Sequence, residues 1–282
     1  MVVIDYQSVR EDFITWFKGK GICWENYGKQ LVRHLEHFAK PISKPMDLVE
    51  LFSGLNNSQK RHLVNGLRNL FKFYETQGLA SKQWLDLLRS NLPRISIGVD
   101  LNVPSEKEIV DSLKKLAKKD KTKRVFAIYN LLLDSGLRLT EAVKLYNALK
   151  FENVKIEKSN GFYIVPLGYF RNTKTAYYGF ITDYTMKAIK KAQGNPLNYK
   201  KINGTATKRF GVVAYKYLRK FAFDTMTNEK LNIPESVADF IEGRTPKSVG
   251  ARHYMKLKRK SIQFYPRYAE YLKELRAKAK LK

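Results

Sequence analysis

Apolar residues recur at helical spacing along most of this chain, and one internal stretch departs from that pattern. Helical spacing is clear in Phe13-Trp16-Phe17, in Leu31-Leu35-Phe38 and through residues 63–74. Residues 161–166 and 176–182 are instead rich in Phe, Tyr, Ile and Val, which favour strands, and residues 151–158 alternate weakly. The pattern predicts a mainly α-helical protein with one small antiparallel β-sheet.

Helical periodicity stops between Pro93 and Pro104. A new helix is predicted from Ser105, because Glu108 three residues later completes a capping box. We therefore expect a helical N-terminal domain over residues 1–95, a linker over 96–104 and a second domain over 105–282 that ends in a basic tail. The N-terminal domain is predicted to hold four or five short helices with cations between their apolar turns, and these cations are Arg33, Lys60, Arg61 and Arg68.

The charge of the chain points to a polyanionic partner. Its 282 residues include 53 Lys and Arg against 26 Asp and Glu, a formal net charge of +27. Nucleic acid is the first choice for such an excess, and each duplex phosphate neutralised should add roughly −0.9 to the salt slope of binding. The alternative is a cationic protein whose charge only keeps it in solution.

Several classes of protein are disfavoured. Cys23 is the one cysteine, so no intramolecular disulfide and no cysteine-built zinc site can form. Charged residues interrupt the first 20 positions, and no run of about 18 apolar residues exists. We expect a cytoplasmic protein without metal or other cofactors. The pair His34-x-x-His37 lacks a third ligand and is interpreted as facing solvent or a duplex.

One C-terminal stretch combines cations with a possible nucleophile. It contains Lys216, Arg219, Arg244 and Tyr254, without a nearby acidic cluster of the kind that binds a metal. Guanidinium and ammonium groups can neutralise a reacting phosphate, and a phenol can attack it. The neighbouring tyrosines are alternative nucleophiles that helical spacing assigns to packing, namely Tyr265, Tyr268 and Tyr271.

A further arginine lies at a predicted turn between two helices. Gly136 can supply the positive φ that ends the first helix, and Arg138 then stands close to the start of the next. An arginine held at a tight turn loses little entropy when its planar fork grips a phosphate. The alternative is an ordinary surface arginine in a loop.

The order of these residues resembles that of the tyrosine recombinases, or phage-type integrases. Gly136-Leu137-Arg138-x-x-Glu141 after an apolar helix is similar to the first active-site box of that family. The later positions follow in the family's order: Lys174 near a hairpin turn, Lys216-x-x-Arg219 on a helix, Gly243-Arg244, and Tyr254 at 254 − 244 = 10 residues beyond Arg244. Lys216 stands where the family usually has His, and Arg244 stands where it usually has His or Trp. With the ending Arg252-His253-Tyr254, these replacements resemble the divergent integrases of archaeal viruses and plasmids.

The resemblance implies a fold and a reaction. The fold would join an N-terminal helical core-binding domain of the SAM-like type to an α+β catalytic domain. Arg138 and Arg219 would clamp the scissile phosphate, Lys174 would protonate the departing 5′ oxygen, and Lys216 and Arg244 would add charge. Tyr254 would form a 3′-phosphotyrosyl link, helped by cations because an ordinary phenol has a pKa of about 10. Four protomers would exchange strands between two double-stranded attachment sites, without metal or ATP.

Some choices stay open at this point. Lys155 and Lys158 are rivals to Lys174, and His253 is either a donor to the site or a plain loop histidine. Arg171, Lys208 and Arg252 are candidates for contacts to DNA phosphates. The sequence does not decide whether Tyr254 serves its own active site or a neighbour's. The alternative functions are a topoisomerase of the type IB kind and a catalytically inactive DNA-binding relative.

Overall fold

The structure is a computed structural model, and it describes residues 2–21, 24–95, 98, 100–159, 161–171, 174–244 and 256–281. For Asn26, for residues 169–171 and for residues 174 and 175 it describes the backbone alone. The chain divides into two compact units, Met1–Asp100 and Leu101–Lys282. Among the described residues, no helix is both long and apolar enough to cross a membrane.

The N-terminal unit is helical, as its periodicity predicts. Its described α-helices are α1 (Arg10–Gly19), α2 (Lys29–Phe38), α3 (Pro45–Phe52), α4 (Asn57–Thr76) and α5 (Lys82–Ser90). A 3₁₀ turn at Gln7–Val9 precedes α1, and a π-helical turn at Trp24–Gly28 leads into α2. The side chains of Asn56 and Ser81 accept hydrogen bonds from backbone N–H groups and so fix the starts of α4 and α5. The apolar faces of these helices form one core of their own.

The C-terminal unit contains a longer series of helices around a small sheet. Before the sheet come α6 (Glu106–Lys119), α7 (Arg124–Ser135) and α8 (Leu139–Phe151). After it come α9 (Asp183–Lys191), α10 (Tyr199–Ile202), α11 (Thr205–Phe210), α12 (Tyr215–Thr227), α13 (Glu235–Ile241) and α14 (Leu257–Lys278). Ser105 and Glu108 form the predicted capping box at the start of α6. Helix α7 is buried along its whole apolar run and forms the centre of this unit.

The sheet is antiparallel with strand order β1-β2-β3. Its strands are β1 (Glu157–Ser159), β2 (Phe162–Arg171) and β3 (Lys174–Thr182). The prediction of a mainly α-helical protein with a small antiparallel sheet is confirmed. Helix α8 includes Phe151, the first residue of the stretch that alternates weakly, and Arg171 and Lys174 pair with each other as strand residues.

The basic tail is a core helix. Tyr265 and Tyr268 on α14 are fully buried, and their hydroxyls donate to the carbonyls of Asp134 (3.1 Å) and Leu133 (2.7 Å). These carbonyls belong to the last turn of α7, where helix geometry leaves backbone acceptors without partners. Burial raises the pKa of both phenols well above the usual value. The structure therefore argues against both as nucleophiles, and it anchors the end of α7 to α14.

Candidate active site

Arg138 stands at the junction of two helices. Helix α7 ends at Ser135, Gly136 has a φ of +58°, and Arg138 is the extended residue before α8. The Glu141 carboxylate accepts two hydrogen bonds from Arg138, one from the backbone N–H (2.9 Å) and one from Nη1 (2.8 Å). The Arg-x-x-Glu spacing thus has a physical reason: the glutamate caps the helix and orients the arginine together.

Arg219 reaches the same junction from α12. Its Nη1 donates to the carbonyls of Glu242 (2.7 Å) and Gly136 (3.0 Å). Arg138 Nη1 donates to the carbonyl of Gly243 (3.2 Å), the residue after Glu242. Arg219 Nη1 also lies 4.0 Å from a Glu141 carboxylate oxygen. Two arginines from distant parts of the chain are therefore held side by side by neighbouring backbone acceptors and one shared glutamate.

Both arginines line one cavity of about 350 Å³. Helix α12 adds Lys216 and Tyr215, α10 adds Tyr199, and Asn203 follows directly after α10. The remaining lining residues come from the α7–α8 junction and are Leu137, Leu139, Thr140 and Glu141. A pocket that brings two guanidinium groups and an ammonium to one place is suited to a phosphate or another oxyanion.

Comparison with known proteins gives the family. Residues 101–271, well over half of the chain, match the family described as archaeal phage integrase. The chain belongs to that family. It is therefore a member of the tyrosine recombinases, the site-specific DNA recombinases that its motif order resembles.

Two solved structures resemble this integrase. One is the crystal structure of residues 75–356 of lambda integrase, a dimer bound to a COC′ core site, with a TM-score of 0.62, 11% identity, and coverage of 85% of this chain and 95% of that one. At this identity the likeness concerns the fold. The other is the integrase of mycobacterium phage Brujita, with a TM-score of 0.42, 14% identity, and coverage of 97% and 98%. No curated protein sequence matches the chain.

Arg244 joins the site indirectly. Its Nη2 lies 2.8 Å from a Glu242 carboxylate oxygen and its Nη1 lies 3.4 Å from Asp239, while its guanidinium covers the ring of Phe223 at 4.7 Å. The same Glu242 oxygen lies 3.6 Å from Nε of Arg219. Of the predicted site residues, the structure thus brings together Arg138, Lys216 and Arg219 at the cavity and connects Arg244 to them through Glu242.

The strand that carries Lys174 passes beside this arrangement. Gly243 has a φ of +69° and lies so close to Ala176 on β3 that an added Cβ would come within 2.7 Å of the alanine methyl. Ala176 is two residues beyond Lys174, whose side chain, like that of Arg171, is outside the description. The rivals Lys155 and Lys158 are both exposed, with Lys158 inside β1.

The geometry of the described residues does not support the assignments at three other predicted positions. Tyr254 and Arg252, with the neighbouring His253, lie outside the described residues. Lys208 is exposed on α11 and is not among the residues that line the cavity. All three assignments stay predictions.

Sequence reasoning missed Glu242. This carboxyl is fully buried, and burial raises its pKa to about 8 although Arg219 and Arg244 both act to lower it. Burial also lowers the pKa of Arg219 to about 10, which leaves the guanidinium protonated at neutral pH. The only signal in the sequence is the position of Glu242 directly before Gly243-Arg244, in a stretch that reads as cationic. Within the described residues, no cluster of His, Cys, Asp and Glu is arranged to hold a metal ion.

Proposed function

We propose that this integrase cleaves and rejoins duplex DNA through a 3′-phosphotyrosyl link on Tyr254. The observation that carries the proposal is the meeting of Arg138 and Arg219 at one cavity, held by adjacent carbonyls and by Glu141. Neutral carbonyls orient the guanidiniums without cancelling their charge. That charge is worth most when a phosphate gains negative charge in the transition state.

Each cation has a role in this scheme. Arg138 and Arg219 bind the two non-bridging oxygens of the scissile phosphate, and Lys216, which lines the same cavity, adds a third positive charge. Lys174 donates a proton to the departing 5′ oxygen, because an ammonium group can act as a general acid. Arg244 contributes charge and hydrogen bonds, because a guanidinium does not give up its proton.

The chemical step is balanced. The bond from the Tyr254 oxygen to phosphorus forms while the bond from phosphorus to the 5′ oxygen breaks. The phenol loses one proton and the 5′ oxygen gains one. Because the phosphodiester bond is exchanged and not hydrolysed, a second 5′ hydroxyl can reverse the step with no nucleotide cofactor. Four protomers on two duplexes would complete an exchange of strands.

Duplex DNA is the partner that charge and chemistry favour. The lambda integrase relative was crystallised on a DNA core site, and this chain carries a net charge of +27. In the N-terminal unit, Arg33, Arg61 and Arg68 are exposed on α2 and α4, and Arg33 lines a cavity of about 540 Å³ with His34 and His37. We assign this surface to the duplex backbone and place the reaction on host DNA in the cytoplasm.

Trapping the covalent intermediate tests the proposal. Duplexes bound by the wild-type protein are selected from a randomised pool, and nicked versions are prepared that release the short cleaved strand. Wild type should form a protein–DNA adduct that survives denaturing detergent, with the DNA mapped to the Tyr254 peptide. Tyr254→Phe should bind the duplex and form no adduct. An adduct that persists in Tyr254→Phe would overturn the assignment of the nucleophile.

Matched variants sharpen the result. Tyr27→Phe removes the hydroxyl of an exposed tyrosine that does not line the cavity and should leave adduct formation intact. Arg138→Ala should slow adduct formation by about 10² to 10³, as expected for loss of a preorganised donor. Arg267→Ala removes an arginine of α14 outside the cavity and should have no such effect. Joining of two site-bearing duplexes distinguishes a recombinase from a topoisomerase, which would only relax supercoiled DNA.

A further inference from the structure

Glu242 is a buried carboxylate in an unusual setting. It follows the last residue of α13 and is completely inaccessible to solvent. Arg244 and Arg219 lie within 2.8 and 3.6 Å of one of its oxygens, yet neither oxygen accepts a well-directed hydrogen bond from the described residues. Nη2 of Arg219 is also buried and has no hydrogen-bond partner among the described residues. Unsatisfied polar atoms are rare in protein interiors, and a cluster of them requires an explanation.

The carboxyl group fills the space that Gly136 leaves open. A Cβ added to Gly136 would lie 2.6 Å from the Glu242 Cγ and 2.7 Å from its Oε1. Gly136 belongs to the turn that carries Arg138, and its carbonyl accepts a hydrogen bond from Arg219. Glu242 thus contacts the Arg138 turn with its side chain and Arg219 with both its backbone carbonyl and its carboxylate.

The charges around Glu242 are mainly positive. The groups that face it from the packed elements are Arg219 on α12, Asp239 on α13, Arg244 after α13, Arg138 before α8 and Tyr268 on α14. Replacing a buried ion pair by uncharged groups is often neutral or stabilising, so stability alone is a weak reason for a carboxylate here. A DNA phosphate bound by Arg138 and Arg219 would be a second anion competing for the same guanidiniums.

We propose that Glu242 is a positioning residue that holds Arg219 and Arg244 in the phosphate site and competes with the DNA phosphate for them when it is ionised. This inference rests on the proposed function and deepens it. A phosphate beside the cluster favours the protonated carboxyl, so binding of DNA takes up a proton. Because burial places the pKa of Glu242 near 8 in the free protein, this linkage acts in the mildly alkaline range.

The test compares wild type with Glu242→Gln, which keeps the shape and removes the ionisation. Duplex affinity and the rate of adduct formation are measured from pH 6.5 to 9.5. Near pH 7 the two proteins should agree within about threefold. Above pH 8 the wild type should weaken relative to the variant by up to about tenfold per pH unit, since one proton is linked to binding. Titrations of Tyr254 and of the lysines are common to both proteins and cancel in the ratio.

Two further variants separate positioning from filling space. Glu242→Ala removes the side chain that holds both arginines and should slow adduct formation by about tenfold or more at every pH, because small misplacements of catalytic groups cost much of the rate. Glu235→Gln removes an exposed carboxylate from the same helix and should behave as wild type throughout. Thermal unfolding of each variant checks that it is folded.

The outcomes are distinct. Parallel pH curves for wild type and Glu242→Gln would overturn the competition, and a fully active Glu242→Ala would overturn the positioning role. If the wild type forms no adduct at any pH, the proposed function fails instead. The comparison of duplex affinities between wild type and Glu242→Gln then still decides whether Glu242 competes with DNA phosphate.

Discussion

Replacing Arg276 by Met should destabilise the C-terminal unit more than any surface change. Arg276 is 3% exposed and forms a buried ion pair with Asp134 at the end of α7. It also donates to Asn130 (3.0 Å), to the Thr182 hydroxyl (3.0 Å) and to the Thr185 hydroxyl (3.1 Å). This cluster joins α14 to α7 and to the start of α9. Methionine has a similar length but no donor, so Asp134 would keep its charge without a counter-ion.

The size of the effect follows from the burial of both partners. Removing one member of a buried ion pair typically costs about 3–5 kcal/mol, because the other charge is left uncompensated. Asp134 would still accept two hydrogen bonds, one from the backbone N–H of Thr182 and one from the Thr182 hydroxyl, both at 2.7 Å. We therefore expect a cost in the lower half of that range. For a unit of this size, about 3 kcal/mol corresponds to a fall in Tm of roughly 6–12 °C.

The two units can be followed separately. The three tryptophans, Trp16, Trp24 and Trp84, all lie in the N-terminal unit, so their fluorescence reports on that unit. Near-UV circular dichroism of the many tyrosines reports mainly on the other. Arg276→Met should lower the Tm of the transition detected by tyrosine circular dichroism by roughly 6–12 °C. Adding Asp134→Asn should recover part of the loss, since the stranded charge is then gone.

A matched control is available two residues along α14. Lys278 pairs with Glu106 at 2.6 Å, but both side chains are largely in solvent, at 55% and 38% exposure. Exposed ion pairs contribute little to stability because water screens them, so Lys278→Met should shift Tm by only a few degrees. If Arg276→Met shifts the transition no further than Lys278→Met does, the buried cluster is not what holds α14 in place.

Two other changes test the α7–α8 junction. Gly136→Ala should lower the free energy of unfolding by more than about 1 kcal/mol and slow DNA cleavage, because φ is +58° and the new methyl would meet Glu242 at 2.6 Å. Urea unfolding measures the loss of stability, and an unchanged urea midpoint would contradict it. Glu242→Gln should become progressively more stable than wild type as pH rises from about 5 to 8, by up to about 1.4 kcal/mol per unit. The sign follows because the pKa of Glu242 is raised from 4.5 to about 8, so the folded protein retains a proton that the unfolded chain has lost. A difference in Tm that is constant with pH would refute this.

Much of the fold could be predicted because its signals are local. The helical period of α4, the capping box of Ser105 and Glu108 and the glycine after α7 all act within a few residues, and each is found in the structure. The Arg-x-x-Glu box is local too, since Glu141 binds Arg138 within one turn of helix. Sequence spacing therefore predicted the position of Arg138 correctly.

What the sequence did not predict depends on contacts between distant residues. Helical spacing assigned Tyr265 and Tyr268 to packing, but it did not show what they pack against, and the structure buries them with Leu272 and Leu275 in the core of the C-terminal unit. In the sequence Glu242 looks like an ordinary surface carboxylate, but in the structure its side chain lies directly against Gly136. No periodicity reports which backbone carbonyls an arginine will reach more than a hundred residues away, as Arg138 reaches Gly243.

The way in which the arginines are held explains why two glycines are needed at this site. Gly136 and Gly243 both have positive φ, and both lie where a side chain would collide with a neighbour, Glu242 in one case and Ala176 and Leu137 in the other. Their close approach directs the carbonyls of Gly136 and Gly243 to the guanidiniums of Arg219 and Arg138. A carbonyl fixes a guanidinium at little cost in charge, whereas a carboxylate fixes it and neutralises it. The site orients Arg219 mainly through two carbonyls, so most of that guanidinium's charge stays available for an anion, whereas the Glu141 carboxylate offsets part of the charge of Arg138.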